Sequence, residues 1–216
     1  MREYFTGTDR FSEAHRLSYT EIMPDGSDCQ SGAMLSAYAL RGRKDPLSVG
    51  RWMLDSGAFT QVTKFGDFIQ STEEYVRLAV RFQDQGELAC IATQDYMCEP
   101  SVIAELQSQG RKASVRIHQN NTVKRYIDIM EQSVKQGLKV PVMPVLQGWE
   151  VEDYYDHYIK YCNELSNRRY WNGKEWHCPF MDRPYYHGHT GELLNAGHWI
   201  GCLLYTSDAA DDGLSV

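Results

Sequence analysis

The chain has 216 residues, with 22 Lys and Arg against 29 Asp and Glu for a formal net charge of −7, and 42% of its residues are hydrophobic. No stretch approaches the roughly 18 consecutive apolar residues of a membrane span, and the start Met1-Arg2-Glu3-Tyr4-Phe5 lacks the apolar segment of a secretory signal. A soluble, cytoplasmic protein with no membrane partner is therefore expected. The acidity disfavours non-specific attraction to phosphate backbones, so a nucleic-acid partner would need local basic patches. Six cysteines without a C-x-x-C pair read as reduced thiols and argue against a Cys-only zinc site.

Short apolar runs, each feeding a polar junction and then a helical pattern, give an α/β signature. The run Trp52-Met53-Leu54 ends at Asp55-Ser56-Gly57, and a helix is predicted over 72–85, with Thr72 as N-cap and Tyr75, Leu78, Ala79 and Phe82 at helical spacing. The continuous apolar run 88–92 reads as a buried parallel strand that delivers Thr93-Gln94-Asp95. Pro100 and Ser101 open a short helix that stops at Gly110.

A strand-like piece over 114–117 is followed by a helix from about Thr122, with Val123, Tyr126, Ile127, Met130 and Val134 on one face and Gly137 at its end. The run 140–146 is a strand weakened by Pro141 and Pro144; it ends at Gln147-Gly148-Trp149 before a helix over 151–165. Over 163–198 the periodicity gives way to Tyr, Trp, His, Gly and Asn, which reads as an insertion or long loop. Residues 202–216 match neither a strand–helix unit nor a natural terminus. The stretch 202–212 looks like a translated sequencing adapter, so 1–201 are expected to be the natural residues, interrupted before the C-terminus.

Three strands thus end in polar residues, Asp55, Asp95 and Gln147. In a (β/α) barrel such endings converge on one pocket. Read alone, Asp-Ser-Gly favours a turn whose Asp accepts backbone N–H groups and Phe59 a core position, while Gln147-Gly148 suits a strand-to-helix turn equally well. The run His177, Cys178, His187, His189 and His198 fits no standard zinc spacing, so no metal site is assigned. Arg41, Arg43 and Lys44 form one basic cluster. Arg168, Arg169, Tyr170, Trp171 and Lys174 mix cations with aromatics and are the better nucleic-acid candidate.

The ordered strings Leu54-Asp55-Ser56-Gly57-Ala58-Phe59, Gln94-Asp95-Tyr96-Met97-Cys98-Glu99-Pro100 and Pro144-Val145-Leu146-Gln147-Gly148-Trp149 together resemble the tRNA-guanine transglycosylase superfamily, most closely its deazapurine DNA-modification branch. The resemblance spans about 52–201. It implies an α/β fold, a (β/α)8 TIM barrel incomplete at its C-terminus, that exchanges guanine for a 7-deazaguanine such as preQ0 in DNA through a covalent glycosyl-enzyme. The same reaction on tRNA is the runner-up. Outside the class, the alternatives are a barrel glycoside or nucleoside hydrolase using paired aspartates, and a non-catalytic base-binding barrel.

The resemblance implies that Asp55 handles protons, that Ser56 and Phe59 line and stack on the base, that Asp95 reads the guanine edge, and that Gln147 and Gly148 bind its O6 side. Ala58 stands where the family usually has a second glycine. A His118-Gln119 pair also occurs in the DNA branch, without an assigned role. No cofactor is implied in this stretch, and the family's zinc, where present, lies further C-terminal. So does the nucleophilic aspartate, beyond the glycine-rich strand that would begin near Trp199. The 216-residue chain is accordingly expected to be inactive and not to be a stable barrel.

Overall fold

The computed structural model describes residues 2–8, 11–12, 14–24, 26 and 28–165, together with the residue pairs 170–171, 176–177, 185–186 and 193–194. Alternation along the strands divides their side chains between two faces: Trp52 and Leu54 enter the main core, whereas Met53 joins Cys90, Ala92 and Val145 in a smaller cluster on the other face.

The sheet is built from β1 (Arg2–Gly7), β2 (Tyr19–Ile22), β3 (Asp28–Ser36), β4 (Arg51–Asp55), β5 (Glu87–Ala92) and β6 (Val142–Met143). Its order is β1-β3-β4-β5-β6, all parallel, and β2 lies antiparallel on the first half of β3. β3 is long enough to pair with β2 over 28–31 and with β4 over 33–36 along one edge. The first three strands have no counterpart in the sequence reading.

Helices α1 (Ala37–Leu40), α2 (Ala58–Phe65), α3 (Thr72–Phe82), α4 (Pro100–Ser108), α5 (Val115–Gln136) and α6 (Val151–Leu165) connect or follow the strands. Tyr75, Val76, Ala79 and Phe82 of α3, Val123, Tyr126 and Ile127 of α5, and Tyr161 and Leu165 of α6 share one core with Trp52, Leu54 and Ile91. The strongest helix contact is α3 against α5. The opposite face is lined by strand residues Phe5, Met34, Met53, Cys90, Ala92 and Met143 with Val145. α2 and α4 pack together at the C-terminal ends of the strands, around Ala58, Val62, Phe68, Tyr96, Met97, Val102 and Leu106.

Four expectations need correction. The N-cap of α3 is Ser71, not Thr72: its hydroxyl accepts from the Glu74 N–H while Glu74 reaches back to the Ser71 N–H, a reciprocal capping box. Residues 114–117 are not a strand, since Ser114 caps a 22-residue helix that begins at Val115, seven residues before the expected start. Val134 is 51% exposed and off the apolar face. The strand expected over 140–146 shrinks to two residues bracketed by Pro141 and Pro144, neither of which can donate to the ladder.

The α/β architecture with a parallel sheet is as expected, while the eight-stranded closure is not seen among the described residues. In the 163–198 stretch, β7 (Tyr170–Trp171) pairs antiparallel with β8 (Trp176–His177), and β9 (Tyr185–Tyr186) with β10 (Leu193–Leu194). Arg168, Arg169, Lys174, Cys178, His187, His189, His198 and the tail 202–216 lie outside the described residues, as does the Trp171 side chain. No helix among the described residues is long and apolar enough to cross a membrane.

Candidate functional site

The three polar strand endings meet. Asp95, three residues beyond β5, is fully buried, and its carboxylate receives the Ser56 hydroxyl at 3.0 Å on Oδ1 and the Gln147 side-chain amide on Oδ2. Burial, reinforced by the charge of Asp55, pushes the Asp95 carboxyl up to about 7; the bonds from Ser56 and Gln147 oppose that rise.

The Asp-Ser-Gly turn is tightly specified. Asp55 ends β4, and its Oδ2 accepts the Gly57 N–H at 2.8 Å. The turn chemistry that the tripeptide suggests is therefore present, on a carboxylate whose charge also acts on Asp95. Gly57 has φ +70°, and a Cβ there would stand 2.7 Å from Ser36 Oγ and 2.8 Å from Tyr38 Cβ, so glycine is required by both conformation and space. Ser56 accepts from the Ala58 N–H at 3.2 Å while it donates to Asp95. The buried Gln61 fixes the turn from behind, donating to the Ser56 carbonyl at 3.0 Å and accepting from the Ile69 N–H at 3.2 Å. Phe59, in the first turn of α2, is 42% exposed rather than a core residue.

Gln147 is held by its own main chain. Its N–H donates to Nδ1 of the buried His157 at 2.7 Å, and its carbonyl accepts from Gln119 Nε2 at 2.9 Å. Burial lowers His157 to about 3, which keeps the ring neutral; its Nδ1 faces the N–H of Gln147 at 2.7 Å and the carbonyl of the same residue at 3.1 Å. Gly148 is buried, and a Cβ there would lie 2.7 Å from Asp153 Cβ and 2.9 Å from the Tyr154 nitrogen. The close approach it permits is that of the first turn of α6, where Asp153 Oδ2 accepts the N–H groups of Trp149 and Glu150 at 3.0 Å.

His118 and Gln119 do not follow a strand; they lie near the start of α5 and are buried. Burial lowers the His118 pKa, and its Nδ1 is bonded to the Met97 carbonyl. Gln119 also donates to the Asp153 carbonyl at 2.8 Å, and its Oε1 accepts from Lys160 Nζ at 2.7 Å. Both side chains thus tie loops that carry Asp95 and Gln147.

Sequence reasoning missed the rest of this helix face. Thr122 Oγ1 accepts from the Tyr96 N–H at 2.9 Å; Arg125 donates to Gln94 Oε1 at 2.7 Å and to the Tyr96 hydroxyl at 3.1 Å, and pairs with Asp67 at 3.2 Å. The residues on either side of Asp95 are therefore anchored to α5. The signal was present as polar residues at 118, 122 and 125, one helical stripe. From α3, the Tyr75 hydroxyl clamps the end of β5 by donating to the Ala92 carbonyl at 2.6 Å.

Other candidates fall elsewhere. Glu99 occupies the N-cap position of α4 without a side-chain cap bond, and burial raises its carboxyl. Arg43 donates to the carbonyls of Asp45 and Pro46, and the Arg41 guanidinium lies 3.7 Å from the Tyr38 ring centroid, so this cluster serves its own turn. Among the described residues no group of three or more His, Cys, Asp or Glu is arranged to hold a metal ion.

No curated protein and no solved structure matches the chain. A family model does, over residues 36–166, a span that contains Asp55, Ser56, Phe59, Asp95, His118, Gln119, Gln147 and Gly148. The chain belongs to the DpdA family, DeoxyPurine in DNA protein A, transglycosylase-like proteins of deazapurine DNA modification.

Proposed function

We propose that these residues form the base site of a transglycosylase that replaces guanine in DNA with a 7-deazaguanine such as preQ0, on the C-terminal face of a sheet that belongs to a (β/α)8 barrel. The arrangement of helices on one face of the parallel strands supports the barrel, because a doubly wound sheet would carry them on both. The carrying observation is the buried Asp95 carboxylate, presented between Ser56 and Gln147.

An ionised carboxylate only accepts hydrogen bonds, so it pairs with the N1–H and 2-amino group of a guanine or 7-deazaguanine edge, and adenine lacks that donor pair. Without a base, the Gln147 amide occupies one of these acceptor positions. Base entry exchanges that donor for the base's own and frees the Gln147 amide to turn toward O6, so no buried acceptor is left without a partner. Asp55, close enough to raise the pKa of Asp95, is placed to take and return the proton as one heterocycle leaves and another enters. Phe59, exposed at the start of α2, supplies a stacking face for a base taken out of its helix.

Calorimetry with guanine, preQ0 and adenine tests this reading. Guanine and preQ0 should bind, adenine should not, and Asp95→Ala should abolish binding. Guanine binding that survives Asp95→Ala unchanged would overturn the pocket.

A further inference from the structure

We propose that the exposed cationic surface made by Arg111 and Lys112, in the turn between α4 and α5, and Arg116, in the first turn of α5, is a phosphate-contact surface for the DNA strand on either side of the base site. This inference rests on the base-site reading above and adds the surface that would hold the polymer.

The fold fixes where the turn lies. Ala113 is buried in the cluster that contains Tyr96 and Met97, directly after Asp95, and the Cys98 thiol donates to the Val115 carbonyl at 3.8 Å. Arg116 is two residues from His118, whose ring is bonded to the Met97 carbonyl. On the other side, the Arg111 guanidinium lies over Gly66 at the C-terminus of α2: a Cβ on Gly66 would be 2.0 Å from it. The turn therefore spans from the Asp95 loop to the helix that bears Phe59.

The charge is not consumed locally. Arg111, Lys112 and Arg116 are all exposed, and among the described residues none has a carboxylate within ion-pair distance. The nearest acid in sequence to Gly66, Asp67, is already paired with Arg125. In a chain of net charge −7, long-range attraction cannot hold a polyanion, so a local cationic edge beside the base site is what a DNA strand requires. These contacts would go to phosphates, positioning the strand without reading its sequence.

The test is fluorescence anisotropy of a labelled single-stranded oligodeoxynucleotide over a range of NaCl concentrations, with the whole chain and with Arg111→Ala/Lys112→Ala/Arg116→Ala. Each lost phosphate contact lowers the slope of log K against log salt by about 0.7, so the triple variant should be shallower by about 2 and bind at least tenfold more weakly at low salt. Guanine binding by calorimetry should be unchanged, which also shows the variant to be folded; Arg116→Glu, a single exposed change, should move the slope the same way.

An unchanged slope in the triple variant, or an equal loss in Lys124→Ala/Lys135→Ala elsewhere on α5, would overturn the surface while leaving the base site standing. A chain that binds no guanine but loses its salt slope in the triple variant would sink the base site and keep the surface. RNA of the same sequence bound as tightly as DNA would overturn the assignment to DNA.

Discussion

Gln147 donates its side-chain amide to Asp95 across 52 residues of chain, and the acceptor is a carboxylate with no exposed surface. The Asp95 carboxyl titrates at about 7 instead of near 3.8, so the folded state binds this proton more tightly than the unfolded state. Stability from this group is therefore present at low pH, falls as pH rises from about 4 to 7, and stays reduced above; the full span is at most about 4 kcal/mol. Asp95→Asn removes the charge and should be more stable than the parent at pH 8 by up to that amount, with little difference at pH 4. Urea unfolding at the two pH values checks this, and equal gains at both would refute a charge origin. Guanine binding by the parent should strengthen as pH rises through 7, because the base needs the ionised acceptor.

The residues that made the site legible are those where burial and pattern agree. Trp52 and Leu54, or the continuous run of β5, announce strands because both faces or alternate faces are apolar, and parallel strands bring their C-terminal ends, with the polar residues attached there, to one edge of the sheet. The misread residues are those whose burial is polar. His118, Gln119 and Thr122 are buried in the first turns of α5, so the apolar periodicity starts only at Val123, and Val115 and Ile117, on the more exposed side, imitate a strand. β2 is exposed at all four residues and β3 is rich in small and polar ones; they are held by ladder bonds on both sides of β3, which no side-chain pattern records. Asp55, Asp95 and Gln147 could be placed by their strand endings, whereas the supports Gln61 and Arg125 make long-range contacts that only the folded chain defines.

Gln119 makes three side-chain bonds, to the carbonyls of Gln147 and Asp153 and from Lys160. Gln119→Leu removes the bonds to two carbonyls and from one ammonium, which should cost about 2–4 kcal/mol. Gln119→Glu keeps the acceptor for Lys160 but sets a carboxylate against two carbonyl oxygens, so it should be rescued in part at acidic pH, where the carboxyl becomes a donor. Thermal unfolding of both variants at pH 4 and 8 measures the difference. A pH-independent deficit in Gln119→Glu would mean that the two donated bonds do not hold the Gln147 loop.

His157 carries the opposite pH dependence to Asp95. Its folded value of about 3 lies below the ordinary 6.5, so the stability it contributes is complete above 6.5 and is lost as pH falls toward 3, by about 5 kcal/mol at the limit. Protonation would also make Nδ1 a donor, breaking its bond from the Gln147 N–H and leaving the Gln147 carbonyl at 3.1 Å as its acceptor. In the Asp95→Asn background, where the opposing slope is gone, stability should fall monotonically through this window. His157→Gln, whose amide oxygen can still accept, should flatten the fall. Persistence of the same acid limb in His157→Gln would assign it to other groups.

Gly57 joins two separate costs that a single substitution releases together. Alanine at φ +70° incurs the left-handed penalty of about 1–2 kcal/mol, and its Cβ would meet Ser36 Oγ at 2.7 Å and Tyr38 Cβ at 2.8 Å. Gly57→Ala should therefore lose about 2–4 kcal/mol and weaken guanine binding, because the Gly57 N–H holds the Asp55 carboxylate. The steric part can be separated from the conformational part. Ser36→Gly removes one of the two clashing atoms but not the φ requirement, so Ser36→Gly/Gly57→Ala should recover some but not all of the loss, giving a favourable coupling in a double-mutant cycle of urea unfolding. Additivity within about 0.5 kcal/mol would show that Ser36 yields freely and that the demand for glycine lies in the backbone conformation and the Tyr38 contact.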